Sequence, residues 1–338
     1  MKTRIFTAIL LVAFTTSFFS SCFNSDRKGQ KRGSSGKTLE ILLVANKDVY
    51  YGTAKDRILE LLKAPQAALN QSESLYDVVN IPHSSFQNND MFQAHRNIII
   101  MSVSDTNRNR VYLNRDLWAQ PQMVFEFSLT SRDSVIPFME RYMPVINKEI
   151  KNAEHARIKR AFSGIENYKV MEKLRKNFGF ELTLSNEYQL SKLFPDFAWV
   201  RKEAGDFSIG ILISTEPYKS RIQFEENVIL NRMDTVMKRN VPGPAEGSYM
   251  GTERRIDAVS QNVEFHGNYC VETRGLWRLF GDFMGGPYVN YTFVAPDGKN
   301  LIMLTGYVYS PKQPKRDFLM QAESICYSID FIDTTAKK

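Results

Sequence analysis

The chain has 338 residues, 43% of them apolar and 24% charged, with a formal net charge of +7; this is long enough for one large domain or two ordinary ones and too apolar for a disordered chain. The charge is unevenly placed. Lys2 and Arg4 carry two units, and residues 22–37 hold Arg27, Lys28, Lys31, Arg32 and Lys37 against Asp26 alone, so the body from Thr38 onward is close to +1. A nucleic-acid reader needs its basic excess on the folded surface, where phosphate neutralisation supplies the affinity, and this body lacks it.

Lys2 and Arg4 precede an apolar run from Ile5 to Phe14, a small-residue stretch Thr15-Thr16-Ser17, and Phe18-Phe19-Ser20-Ser21-Cys22. A charged start, a short apolar core and small residues before a break are the pattern of a secretory signal, here over residues 1–21. The apolar run falls far short of the ~20 residues that cross a ~30 Å hydrocarbon layer. Ser20-Ser21-Cys22 resembles the lipobox of bacterial lipoproteins, with Phe19 in place of the usual leucine, which implies that Cys22 is acylated and anchors the chain to membrane lipid. Residues 22–37 then form a basic linker. It either lies against an anionic surface, where each Lys or Arg contributes ~1 kcal/mol, or serves as a solvated spacer.

In chain order, Leu39 to Ala45 is a continuous apolar run of strand length, and Thr53 to Lys63 places Ile58, Leu61 and Leu62 on one side of a helix. Strands are predicted at Tyr76–Ile81, Asn97–Val103, Asn109–Leu113 and Met123–Leu129 from their β-branched and aromatic content. After a capping region at Thr130–Asp133, Val135, Phe138, Met139, Tyr142, Ile146 and Ile150 recur at helical spacing, with Pro144 inside the pattern to bend it. The second half predicts a helix at Tyr168–Asn177, strands near Phe180–Leu184, Phe197–Lys202 and Phe207–Ser214, and a helix at Arg221–Arg239. Further strands follow at Asn262–Thr273, Tyr288–Val294 and Asn300–Tyr309, the last two joined by a Pro296-Asp297-Gly298 hairpin turn. Leu301–Leu304 is apolar on both faces and belongs at the centre of a covered sheet. A helix at Lys315–Ser328 closes the chain. The fold class is α+β or α/β: two mixed-sheet α/β domains, 38–165 and 166–331, the second ending in a strand-hairpin-helix, with a tail at 332–338.

The richest chemical vocabulary lies in Asn262–Thr273. In one regular strand Glu264, His266, Asn268, Cys270 and Glu272 share a face, but residues four apart are ~13 Å apart, too far for His266 to activate Cys270 directly, and a bulge at Gly267 would turn Cys270 toward the apolar face and away from His266. Glu264, His266 and Cys270 therefore stand as catalytic candidates against a structural strand, or against a disulfide between Cys270 and Cys326, the pair left for an oxidising compartment once Cys22 is acylated. His83 and His95 flank the polar stretch Ser84–Asp90; their spacing matches no metal site, and an exposed loop is the alternative. Gly275–Tyr288 mixes glycines with large aromatics, as a pocket wall or as a bent core strand. No phosphate-binding glycine loop and no Ser-centred elbow occurs, and no CxxC or Cys/His spacing suggests metal, so neither a cofactor nor a metal is expected. Asp133-Ser134-Val135, Asp234-Thr235-Val236 and Asp333-Thr334-Thr335 resemble the O-glycosylation acceptor of the Bacteroidetes envelope, and Asp133 equally suits a helix cap.

Together with the lipobox, Thr38-Leu-Glu-Ile-Leu-Leu-Val-Ala45, Phe197-Ala-Trp-Val-Arg-Lys202, and Gly286-Pro-Tyr-Val-Asn-Tyr291 with Leu304-Thr-Gly-Tyr-Val-Tyr-Ser-Pro311 resemble an uncharacterised lipoprotein family of the Bacteroidetes, a domain of unknown function. The resemblance implies an envelope location and supplies no catalytic residues. Surface-exposed lipoproteins of that phylum carry acidic residues after the cysteine; Phe23-Asn-Ser-Asp-Arg-Lys28 turns basic, which implies the outer membrane facing the periplasm. The closing strand-hairpin-helix is also similar to small α/β domains of the photosystem-accessory and Mog1-like type, at the level of fold. The expected function is a non-catalytic binding or scaffold module for an envelope protein or ligand; the alternative is an envelope hydrolase or transferase with an unfamiliar site.

Overall fold

The structure, a computed structural model, describes residues 31–332. The signal segment, Cys22 and the Asp333-Thr334-Thr335 triplet lie outside the described residues. From Gly33 onward the chain is one compact unit of mixed α and β structure, built around two large sheets.

The first sheet contains β1 (Glu40–Val44), β2 (Asp77–Ile81), β3 (Asn97–Val103), β4 (Arg110–Arg115) and β5 (Met123–Leu129) in the order β2-β1-β3-β5-β4. The first four positions run parallel and β4 closes one edge antiparallel. From Ile41 to Val44 β1 is apolar, as suits a strand covered on both faces. Ile41 and Leu43 join the cluster under α1 (Gly52–Leu62) and α2 (Val135–Phe162), while Leu42 and Val44 pack with Phe86 and Ile98 on the other side. Pro144 does not end α2, which continues to Phe162. Met139, Met143, Ile146 and Ile150 bury its inner stripe.

After α2 comes α3 (Tyr168–Phe178), which packs Val170, Met171 and Leu174 into the core of the second sheet and is stopped by Gly179 in the left-handed conformation. Phe180–Glu181 (β6) is only a two-residue strand, shorter than the Phe180–Leu184 expected, and it pairs with β15 (Asp330–Phe331). The second sheet contains β7 (Gln189–Phe194), which was not anticipated, β8 (Phe197–Ala204), β9 (Phe207–Pro217), β10 (Tyr249–Thr252), β11 (Val259–Phe265), β12 (Asn268–Phe280), β13 (Gly285–Val294) and β14 (Asn300–Tyr309). Its order is β10-β12-β13-β14-β9-β8-β7, with β11 pairing the first half of β12. β14 sits in the middle and is buried from Leu301 to Val308. One face is covered by α4 (Glu226–Asn240), through Ile229, Leu230, Met233 and Met237, and the other by α5 (Arg316–Tyr327), through Leu319, Ala322 and Ile325. Gly306 lets α5 approach: a Cβ there would stand 2.9 Å from that of Ala322. The helix expected over Arg221–Arg239 is broken at Glu225, with a 3₁₀ turn over Arg221–Phe224 before α4.

Asn262–Thr273 is not one strand. His266 (φ +50°) and Gly267 (φ +77°) are both left-handed, the requirement of a two-residue type I′ turn whose twist matches that of the flanking strands. The chain reverses there, so Phe265 faces Asn268, Glu264 faces Tyr269 and Val263 faces Cys270 across the hairpin.

Candidate functional site

The hairpin disperses the set Glu264, His266 and Cys270. Glu264 is exposed. His266 is exposed as well, with Nε2 2.9 Å from the Tyr327 carbonyl oxygen. Cys270 is fully buried in the core between β12, β13 and α5, where burial first and the Glu272 charge second push its thiol far above the ordinary range. Nothing activates it as a nucleophile, which requires thiolate. The bridge between Cys270 and Cys326 is not formed: both are free, buried thiols embedded in the same apolar cluster, and burial pushes Cys326 up too. With Cys22→Ala removing the third cysteine, a thiol reagent such as DTNB should titrate neither until the protein unfolds. Rapid reaction of one equivalent in the folded state would show that this core is open.

His83 and His95 do not meet. His83 begins a helical turn and contacts the Met101 carbonyl at 2.9 Å. His95, expected in an exposed loop, is buried because its Nε2 lies 3.0 Å from Glu40 Oε2 and its Nδ1 3.1 Å from the Asn97 carbonyl. Among the described residues no His/Cys/Asp/Glu cluster could hold a metal. In Gly275–Tyr288, Trp277, Leu279 and Tyr288 are core residues, while Phe283 at the turn is fully exposed. Asp234 is held inside α4 by Thr252 and Arg254, and Asp133 lies in a short 3₁₀ turn without capping by its side chain.

The densest buried chemistry lies elsewhere, where α2, β12, β13 and α5 converge. Glu272 and Arg274 share a face of β12 because they are two residues apart in a strand. Glu323 comes from α5, Tyr291 from β13, and Lys151 and His155 from successive turns of α2. Arg274 donates through Nε to Glu272 at 2.7 Å and through Nη2 to Glu323 at 2.8 Å. Lys151 Nζ bonds Glu272 at 3.0 Å and also contacts Glu323. Tyr291 Oη lies 2.9 Å from Glu272 and 2.8 Å from Glu323. Burial alone would push both carboxyls up, but the two cations hold them below the usual carboxylate range. Two acids and two bases cancel. Lys151, about a quarter exposed, is the member that reaches solvent, through a hollow of about 300 Å³ walled by Leu39, Tyr76, Asn147 and Met320. His155 is stacked on Tyr327, with ring centres 4.1 Å apart, and burial depresses its pKa to about 4.

One turn along α2, Glu154 is fully buried and anchors the start of the first sheet. It accepts from Arg157 Nη1 at 2.7 Å and Arg96 Nη1 at 3.0 Å, and Arg157 also reaches Asn97 at 3.0 Å. In both clusters each carboxylate is met by cations of the chain itself. Their arrangement clasps α2 to the two sheets, since removing one partner of a buried pair leaves an uncompensated buried charge. The sequence signal for this was present in Glu272-Thr273-Arg274, charges at inward positions of a strand, but only the fold brings Lys151 and Glu323 to them.

The second sheet ends in a concave surface of different character. Tyr218, Arg221, Phe224, Asn268, Tyr269 and Pro296 line a hollow of about 620 Å³. Phe224 and Tyr269 meet edge to face at 5.1 Å, and Tyr218 tilts onto Phe224 at 6.0 Å. The turn carrying Arg221 and Phe224 is pinned by Gln223. Its side chain accepts from the amides of Lys219 and Ser220 at 2.6 and 3.1 Å and donates to Glu216 at 2.6 Å. A second hollow of the same volume lies along the other side of Pro296, lined by Asn177, Phe178, Asp297 and Phe331.

Residues 167–328 match the family profile of a domain of unknown function, DUF4837, and residues 34–163 match that of a second, DUF8532. No curated protein matches the chain. Solved structures similar in part include cyanobacterial PsbP (CyanoP) from Synechocystis, 14% identical with a TM-score of 0.30 over 46% of this chain and 87% of that one. LpqN of Mycobacterium tuberculosis, described as involved in cell envelope biogenesis, is 13% identical with a TM-score of 0.27 over 43% of this chain and 78% of that one.

Proposed function

We propose that the chain is an exported lipoprotein of the uncharacterised Bacteroidetes kind, anchored through acylated Cys22 in the outer membrane and facing the periplasm, and that its body is a non-catalytic binding module. The observation that carries the anchor is Ser20-Ser21-Cys22 placed directly after a charged start and a short apolar run. Among the described residues no helix is long and apolar enough to cross a membrane, so attachment of this chain would fall to the lipid, aided by the basic stretch that follows it.

The binding role is supported by the chemistry of the body. The buried carboxylates Glu272 and Glu323 are neutralised by Arg274 and Lys151, whereas a general acid or base needs a pKa near the working pH. The aromatic hollow, by contrast, is open and presents side chains that are already fixed. In cells fed a labelled fatty acid, the wild type should carry label and sediment with membranes, and Cys22→Ala should do neither. Membrane retention of the unlabelled Cys22→Ala protein would defeat the anchor; turnover of a glycan, peptide or ester by the purified protein would defeat the non-catalytic reading.

A further inference from the structure

We infer that the hollow between Tyr218, Phe224 and Tyr269 binds an anionic saccharide, the acidic group of the sugar pairing with Arg221. The inference rests on the binding-module reading and gives it a ligand class. Arg221 is the one ionisable cation among the residues lining the hollow, is exposed, and forms no ion pair among the described residues. Glu216, the carboxylate that the supporting turn contacts through Gln223, is also taken by Arg232. The hollow therefore carries an unspent positive charge beside aromatic faces.

Those faces are presented rather than buried: Tyr269 is 55% exposed and Phe224 partly so. Tyr269 is held in place by its hydroxyl, which donates to Asn262 Oδ1 at 2.9 Å, and by the edge of Phe224. Asn268 commits its amide nitrogen to the His266 carbonyl at 3.1 Å, which turns its Oδ1 into a free acceptor for a hydroxyl. An apolar ring face, hydroxyl donors and one acidic substituent are what this set complements, and a pyranose bearing a carboxylate has all three. Lipid tails suit the hollow poorly because the Arg221 guanidinium and the Asn268 amide stand among its lining. The rigidity of the Gln223-pinned turn means that little ordering accompanies binding.

Calorimetric titration of the full-length protein with trigalacturonate, and with maltotriose as its neutral counterpart, tests the inference. Trigalacturonate should bind at least tenfold more tightly than maltotriose. Arg221→Gln should bring it to the maltotriose level, and Tyr269→Ala, an exposed hairpin position, should weaken both sugars at least tenfold with an unchanged melting temperature. No binding, or binding that survives both substitutions and so belongs to the basic stretch at residues 22–37, would overturn the site while leaving the anchored module standing. Chromatography of the titrated sample separates the remaining case: cleaved trigalacturonate would overturn the non-catalytic reading and keep the site.

Discussion

Arg274→Met should lower folding stability by about 3–5 kcal/mol, the cost of removing one partner from a buried charge cluster. Arg274 is only 8% exposed and pairs with both buried carboxylates, Glu272 at 2.7 Å and Glu323 at 2.8 Å. Without it, the two buried carboxylates are left with one cation, Lys151, the Tyr291 hydroxyl and, at Glu272, the Gln261 amide. The measurement is a urea transition: the midpoint should fall with the slope unchanged, since the surface exposed on unfolding is the same. The double variant Arg274→Met/Glu323→Gln removes one charge of each sign and should recover more than half of the loss. A drop of less than about 1 kcal/mol in the single variant would place the cluster with ordinary surface pairs.

Acidification should weaken the fold in two stages. His155 titrates near 4 when folded against 6.5 ordinarily, so the unfolded chain takes up more protons throughout that interval. Its contribution is complete above pH 6.5 and is lost as the pH falls toward 4, a total of about 3 kcal/mol from the size of the shift. The cause is mainly burial. Glu323, 3.8 Å from Nε2, and Glu272 pull the other way, while Lys151 and Arg274 add to the depression. Glu272 and Glu323 are themselves depressed carboxyls, so their contribution is present above the ordinary value of 4.5 and is lost below it. Stability curves from pH 7 to 3 should therefore begin to fall near 6.5 and steepen below 4.5. His155→Phe keeps a ring against Tyr327 and should flatten the first stage only. A fall beginning below 4.5 in the wild type as well would remove His155 from the account.

Elements whose packing follows from local pattern were legible in the sequence. Asn97–Val103, Met123–Leu129 and Asn300–Tyr309 have the boundaries expected of them, because runs of β-branched and aromatic residues covered on both faces have little alternative. The central place of Leu301–Leu304 follows from the same logic. The His266-Gly267 turn was missed because its first residue is a histidine, not the asparagine or aspartate that usually marks a type I′ turn, and the error carried Cys270 to the wrong face. Lys151 and His155 read as ordinary polar positions of a helix, since nothing local says that α5 and β12 will cover them. The hollow is less legible still. Tyr218, Phe224, Tyr269 and Pro296 are brought together by the order of β9, β12, β13 and the turn before α4, a property of sheet topology that no window of sequence contains.

The 28 residues of α2 amount to a rod of about 42 Å, and its last three turns carry the countercharges of both sheets on adjoining sides. The two family profiles divide the chain just after this rod, between residues 163 and 167. Electrostatically the division falls elsewhere. A fragment ending there would keep Lys151 but lose both of its carboxylates, and the complementary fragment would retain Glu272 and Glu323 with Arg274 alone, one buried negative charge in excess. The seam visible to sequence comparison is thus one across which neither piece is neutral by itself, so the halves behave as creditors of each other's charge and should be inherited, expressed and melted together.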